Sequence, residues 1–180
     1  MYRELARANP ETYRPDMATT LNNLGNLHSD QNRREEARKA YEEALAIYRD
    51  LARANPETYR PYVATILNNL GNLHVTQNRF EEARKAYAEA LAIYRDLARA
   101  NPETYRPYVA GTLNNLGVLH SNQNRREEAR KAYDEALAIY RDLARANPET
   151  YRPDVAMTLN NLGLLHNVQN RMEEARQAYE

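Results

Sequence analysis

A unit of 46 residues, copied nearly four times, constrains this chain more than any other feature of its sequence. The string Leu-Ala-Arg-Ala-Asn-Pro-Glu-Thr-Tyr-Arg-Pro begins at Leu5, Leu51, Leu97 and Leu143. A second string, Leu-Asn-Asn-Leu-Gly, begins at Leu21, Leu67, Leu113 and Leu159. A fixed period of this length is typical of a repeat array, in which each unit buries its apolar face against the next.

Each repeat contains two helical patterns, named here helix A and helix B. Helix A is predicted to begin at a proline, because the missing N–H of proline needs no partner at the first helical position. These prolines are Pro15, Pro61, Pro107 and Pro153. Helix B is predicted from about Arg33 to the Asn55-Pro56 pair, with small, apolar and tyrosine residues three and four apart on its inward face. Proline ends it, since the residue before a proline disfavours helix.

These boundaries predict a single array over residues 1–180 that starts with a partial helix B at residues 1–9. Repeat one spans 15–56, repeat two 61–102, repeat three 107–148, and repeat four, with a truncated helix B, 153–180. No capping repeat covers the apolar seam at either end, and this predicts head-to-tail self-association. The seam residues concerned are Leu5, Ala175, Ala178 and Tyr179.

Composition excludes several classes of function. Lys plus Arg and Asp plus Glu both number 25, and this balance argues against a nucleic-acid binder and against attraction to anionic membranes. The absence of cysteine excludes disulfides and thiolate metal sites. Since no apolar run approaches the roughly 20 residues that span a bilayer, the chain is expected to be soluble and cytoplasmic.

The sequence offers no arrangement of residues suited to catalysis or to a cofactor. The histidines recur once per repeat on the apolar stripe of helix A and are expected to pack in the core rather than to bind a metal. They are His28, His74, His120 and His166. No glycine-rich phosphate loop and no nucleophile with a partner base is present. We therefore expect no enzyme activity, no cofactor and no metal.

The register of residues within each repeat resembles a tetratricopeptide repeat. That family places Leu-Gly and a later aromatic in helix A, and alanine, an aromatic and alanine in helix B. The matching positions of the first repeat are Leu21, Leu24, Gly25, His28, Ala37, Tyr41 and Ala44. The long unit is similar to the kinesin-light-chain-type subclass; a period of 46 also suits HEAT or armadillo repeats, but this register favours tetratricopeptide repeats. The resemblance implies an all-α, right-handed α-solenoid of stacked antiparallel helical hairpins.

Differences between the repeats concentrate on one face of helix A, whereas helix B hardly varies. The resemblance implies that the A helices form a concave, ligand-holding face. Asparagine amides recur on this stripe and offer both donors and acceptors to an extended peptide; alternatively, they bond neighbouring helices and lock their stacking. The predicted peptide-binding residues are Asn22, Asn26, Ser29, Asn68, Asn72, Val75, Asn114, Val118, Ser121, Asn160, Leu164 and Asn167.

Two functions remain open from the sequence. The first is a scaffold that binds a protein or an extended peptide on the A helices, as part of a larger adaptor or sensor protein. The varied helix A face favours it, and an amphipathic ligand with its polar part toward the N-terminal end is expected. The second is a structural or engineered array without a specific ligand, whose head-to-tail assembly is its role. The near-identical copies favour that alternative.

Overall fold

The computed structural model describes the backbone of residues 10–179 and the side chains of residues 12–167. Within that range the chain forms helices and no strands. The helices are α1 (Pro10–Asp30), α2 (Arg34–Ala54), α3 (Pro56–Thr76), α4 (Phe80–Ala100), α5 (Pro102–Asn122), α6 (Arg126–Ala146) and α7 (Pro148–Tyr179). The partial helix B predicted at residues 1–9 lies outside the described residues. None of the described helices is both long and apolar enough to cross a membrane.

A tight turn with the same geometry joins the two helices of each hairpin. Asn32, Asn78 and Asn124 have φ of 57°, 57° and 60°, in the left-handed region that asparagine tolerates better than most residues. The N–H of Arg33 donates to the His28 carbonyl at 2.8 Å, and the same bond recurs in the next two hairpins. This pattern is a Schellman motif with asparagine at its left-handed position, and it reverses the chain within three residues.

The connection between hairpins is a single asparagine, and here the predicted start of helix A was wrong. Helix A of repeat two begins at Pro56, not at Pro61, which lies inside α3. The Asn55 side chain accepts a hydrogen bond from the Thr58 N–H at 3.2 Å and caps the helix. The same shift moves the starts from Pro15, Pro107 and Pro153 to Pro10, Pro102 and Pro148.

Tyrosine packed on glycine holds each hairpin together. A Cβ built on Gly71 would overlap the ring of Tyr87, which is almost fully buried. Gly25 meets Tyr41 and Gly117 meets Tyr133 in the same way. Because glycine has no side chain, helices A and B approach closely enough for the ring to fill the space between them. The Leu-Gly and Ala-x-x-x-Tyr register of the sequence therefore has a direct packing cause.

The helices fall into two compact bodies, residues 1–97 and residues 98–180, named here the N-terminal and C-terminal bodies. In the N-terminal body α2 packs against α1 and α3, and α1 also contacts α3. In the C-terminal body α6 packs against α5 and α7, and α5 also contacts α7. A single array over residues 1–180 stays a prediction.

The last helix departs from the predicted hairpin. A turn was expected after repeat four's helix A, but α7 continues as one helix of 32 residues from Pro148 to Tyr179. No atom lies within 4 Å of a Cβ built on Gly163, the equivalent of Gly71. Among the described side chains, none packs on Gly163 as Tyr87 packs on Gly71, and the helix continues where the other hairpins turn.

Candidate functional site

The A-helix face is defined as the twelve predicted peptide-binding residues, and the amide oxygens of four of them, Asn22, Asn26, Asn72 and Asn114, accept hydrogen bonds from within the protein. In the N-terminal body, Tyr41 Oη donates to Asn26 Oδ1 at 2.7 Å. One repeat later, Tyr87 Oη donates to Asn72 Oδ1 at 2.6 Å. Burial, with a smaller effect of the Asp30 charge, raises the pKa of Tyr41 to about 12, and burial also raises the pKa of Tyr87. Both phenols therefore stay protonated and able to donate.

Asparagine side chains also join neighbouring A helices. Asn69 Nδ2 on α3 donates to Asn22 Oδ1 on α1 at 3.0 Å and to Asn26 Oδ1 at 3.4 Å. In the C-terminal body, Asn161 Nδ2 on α7 donates to Asn114 Oδ1 on α5 at 3.2 Å. In both bodies the first asparagine of an Asn-Asn pair thus accepts a hydrogen bond from the second asparagine of the next repeat. These are contacts between neighbouring helices, as the alternative interpretation of the asparagines predicted.

The predicted site residues differ in their exposure. Those exposed to solvent are Asn26, Asn72, Ser121, Asn160, Leu164 and Asn167. Those half-buried are Asn22, Ser29, Asn68, Val75 and Val118. Asn114 is buried. Val118 packs against the cluster that contains Tyr133 and Leu162, so part of its side chain serves the core of the C-terminal body.

A pocket of about 200 Å³ lies beside Asn22 in the N-terminal body, and it was not predicted from the sequence. It is lined by Thr19, Asn22, Tyr48, Tyr62, Thr65 and Ile66. Tyr48 and Tyr62 stack with ring centroids 5.0 Å apart, and Tyr48 Oη lies 2.7 Å from Thr19 Oγ1. The residues at the positions of Thr19 and Tyr62 vary between repeats, and this variation was the one sequence feature that pointed to the pocket.

His28, His74 and His120 are half-buried, whereas His166 is exposed, contrary to the core packing expected for it. The Nδ1 atoms of His28 and His74 are buried and have no hydrogen-bond partner. Burial lowers the pKa of His74, so its ring favours the neutral form. Across the described side chains, no group of three or more histidine, cysteine or acidic residues is placed to hold a metal ion.

Tetratricopeptide repeat family models match most of this sequence. One matches residues 3–50 and 49–96, and another matches residues 109–144 and 155–180. This chain belongs to the tetratricopeptide repeat family. The ring-on-glycine hairpins and the Asn-Pro connections described above are thus this family's repeat, extended to 46 residues. No curated protein matches the sequence.

Solved structures share the tetratricopeptide fold of this chain. BtubC (BKLC) from P. vanneervenii is 28% identical with a TM-score of 0.74, and the match covers 98% of this chain and 66% of that one. The chain thus spans just under two thirds of that relative. The N-terminal domain of stress-induced protein-1 (STI-1) from C. elegans is 21% identical with a TM-score of 0.54, covering 81% of this chain and 96% of that one. The predicted fold class, an all-α solenoid of stacked antiparallel hairpins, is confirmed.

Proposed function

We propose that the A-helix face of each body binds an extended segment of another protein. The observation that carries this proposal is the fixed orientation of the asparagine amides. Tyr41 and Tyr87 hold the oxygens of Asn26 and Asn72, and Asn69 holds the oxygen of Asn22. With their oxygens engaged inside the protein, the amides of Asn26 and Asn72 present N–H donors on their other side. One N–H of Asn22 donates to Asn23 Oδ1 at 3.5 Å, which leaves its second N–H for a ligand.

Such donors suit the carbonyl oxygens of an extended backbone, which recur along a peptide whatever its side chains. The amides would thus supply affinity, and the varied neighbours on the same face would supply specificity. In the N-terminal body that face is polar, with Asn26, Ser29 and Asn72. In the C-terminal body Leu164 replaces the asparagine and is 57% exposed. An amphipathic ligand fits this difference.

The test exploits the difference between asparagine and aspartate. In the variant Asn22→Asp, Asn26→Asp, Asn72→Asp the oxygens that accept from Asn69, Tyr41 and Tyr87 remain, while the N–H donors are lost. Peptides enriched by display on the parent chain should bind this variant about tenfold more weakly or worse, since each lost bond contributes roughly 0.5–1.5 kcal/mol. Fluorescence anisotropy of labelled peptides measures the change.

The control adds the same charge elsewhere. Ala46, Ala88 and Ala92 are exposed on the B helices, and their replacement by aspartate should leave peptide affinity unchanged. Equal weakening in both variants would show a general charge effect and would contradict the amide ladder. Failure of any peptide to enrich on the parent chain would contradict the proposed function itself.

A second candidate, head-to-tail self-association, is favoured by an uncovered apolar surface on α1. Leu24 and Leu27 are 40% and 51% exposed, whereas their equivalents on α3, Leu70 and Leu73, are 5% and 2% exposed. The difference arises because α2 packs against α3, while no described helix covers this side of α1. A groove lined by Leu21, Leu24, Glu36, Lys39, Ala40 and Glu43 lies beside these leucines.

The occupant we propose for this groove is a second copy of the chain. The segment 171–179 repeats the sequence with which helix B begins at 33–41, differing only at Met172 and Gln177. It therefore carries the residues that a covering helix needs. The seam residues predicted for this contact, Leu5, Ala175, Ala178 and Tyr179, have side chains outside the described part of the structure.

Sedimentation velocity across a concentration series tests this candidate. The parent chain should form species larger than a monomer, and Leu27→Glu should abolish them by placing a charge in the apolar contact. Ala88→Glu, at an exposed position of α4, should leave association intact. A strict monomer at the highest soluble concentration would exclude self-association.

A further inference from the structure

Four of the six residues that line the tyrosine pocket of the N-terminal body are replaced at the equivalent positions of the C-terminal body. Two repeats after Thr19 stands Gly111, and two repeats after Tyr62 stands Asp154. The tyrosine at the base is retained, as Tyr48 in one body and Tyr140 in the other. Gly111 removes a side chain and Asp154 replaces an aromatic ring by a carboxylate, while Met157 and Thr158 replace Thr65 and Ile66.

The first change removes the threonine hydroxyl that meets the base tyrosine in the earlier repeats. In the N-terminal body Thr19 Oγ1 and Tyr48 Oη lie 2.7 Å apart, and Thr65 with Tyr94 repeats the pair at 2.9 Å. Gly111 has no hydroxyl to offer. A Cβ at Gly111 would lie 3.4 Å from Tyr140 Oη, so the phenol points into the space where threonine stands in the earlier repeats.

Tyr140 is only 5% exposed, and its hydroxyl makes no hydrogen bond with any described residue. The Tyr140 hydroxyl is not among the buried polar atoms that lack a partner, so its oxygen is open to solvent. A ligand group that fills the space above Gly111 can therefore reach this oxygen and take the place of the threonine hydroxyl.

The second change sets an unpaired carboxylate beside the same tyrosine. The Asp154 side chain is half-buried and forms no ion pair or hydrogen bond with another described side chain. Burial raises the pKa of Asp154, as expected for a carboxylate without a nearby cation. Burial first, and then the charge of Asp154, raise the pKa of Tyr140 to about 12, so the two groups lie within electrostatic reach of each other.

We propose that the slot formed by Gly111, Tyr140 and Asp154 receives a basic side chain, arginine or lysine, of the bound segment. Both oxygens accept hydrogen bonds, which the N–H groups of a guanidinium or ammonium supply. The positive charge complements the single carboxylate. The inference rests on the A-helix face proposed above, since Gly111 lies one turn before Asn114 on α5.

The matching pocket in the N-terminal body does not fit such a side chain. Tyr62 stands at the position equivalent to Asp154 and stacks on Tyr48. The Tyr48 hydroxyl is already hydrogen-bonded to Thr19 Oγ1. The slot therefore gives the C-terminal body a preference for a basic side chain that the N-terminal body lacks. A bound segment would carry its basic residue where it crosses α5 and α7.

The experiment uses N-acetyl-arginine methylamide as the probe, with its citrulline analogue as the uncharged isostere. Titration is followed by the backbone amide resonance of residue 111. The arginine probe should bind about tenfold more tightly than the citrulline probe, because hydrogen bonds to charged groups contribute roughly 1.5–3 kcal/mol. Asp154→Asn should remove that preference. Gly111→Thr, which restores the residue of the earlier repeats, should close the slot and abolish binding.

The converse double variant tests whether the slot can be created in the N-terminal body. Thr19→Gly with Tyr62→Asp should create the same charge preference in the N-terminal body, read from the resonances that flank residue 19. Equal binding of both probes to the parent chain, or binding unaffected by Asp154→Asn, would overturn the inference. If arginine binds the slot but no displayed peptide enriches on the chain, the slot stands and the peptide-binding function fails. If peptides enrich and the arginine probe does not bind, only the slot fails.

Discussion

Gly71→Ala is expected to destabilise the hairpin of α3 and α4 by about 1–3 kcal/mol, the usual cost of overpacking a core. The new methyl group would overlap the ring of Tyr87. That ring is 2% exposed and lies between two helices, so it has no free space to enter. The intrinsic helix preference of alanine over glycine, about 1 kcal/mol, offsets only part of the loss. Urea unfolding followed by circular dichroism measures the effect.

The chain contains its own control for this substitution. Gly163 is the equivalent residue of α7, and a Cβ there meets no atom within 4 Å. Gly163→Ala should therefore stabilise the helix by up to about 1 kcal/mol. Gly117→Ala, which meets Tyr133, should behave like Gly71→Ala. Stabilisation at Gly71 equal to that at Gly163 would contradict the ring-on-glycine packing.

Leu73→Ala is expected to cost about 2–5 kcal/mol, the range for a leucine removed from a packed core. Leu73 is 2% exposed on α3. Its equivalent one repeat earlier, Leu27, is 51% exposed on α1. Leu27→Ala should therefore change stability by no more than about 0.5 kcal/mol, as for other surface substitutions. Unfolding of both variants is measured at a concentration where the parent chain is monomeric.

Comparison of the two variants separates packing from chemical identity, since the same residue is removed from the same position of two repeats. An equal loss at Leu27 in the monomer would mean that α1 is covered in solution, against its exposure in the structure. A small loss at Leu73 would mean that α2 and α3 pack less tightly than described.

Much of the fold followed from local chemistry that the sequence displays. The period of 46 residues, the Asn-Pro pair that ends helix B and the alternation of two helices per repeat were all visible. The start of helix A was not, because Pro61 and Pro56 are both acceptable first residues by local rules. Pro61 is tolerated inside α3, where the neighbouring Tyr59 and Tyr62 pack near Tyr48.

The candidate site was predictable in its location on helix A but not in its hydrogen bonding. The asparagine ladder could have faced a ligand or a neighbouring helix, and the sequence cannot decide which atom of an amide faces which way. Asn69, which is not among the predicted peptide-binding residues, donates the hydrogen bond to Asn22 that joins α1 and α3. The open space above Gly111 could not be predicted from the sequence either, because it depends on where the Tyr140 hydroxyl points.

The tripeptide Gln-Asn-Arg marks the boundary between what sequence and tertiary structure decide. It ends helix A at residues 31–33, 77–79 and 123–125, where the asparagine adopts a positive φ. The same tripeptide at 169–171 continues the helix in α7. The sequence alone set the repeat, the helices and the residue able to turn. Tertiary structure decided where the turn forms, because in all three described turns the hairpin is held by a tyrosine packed on a glycine, and this packing offsets the cost of the left-handed asparagine.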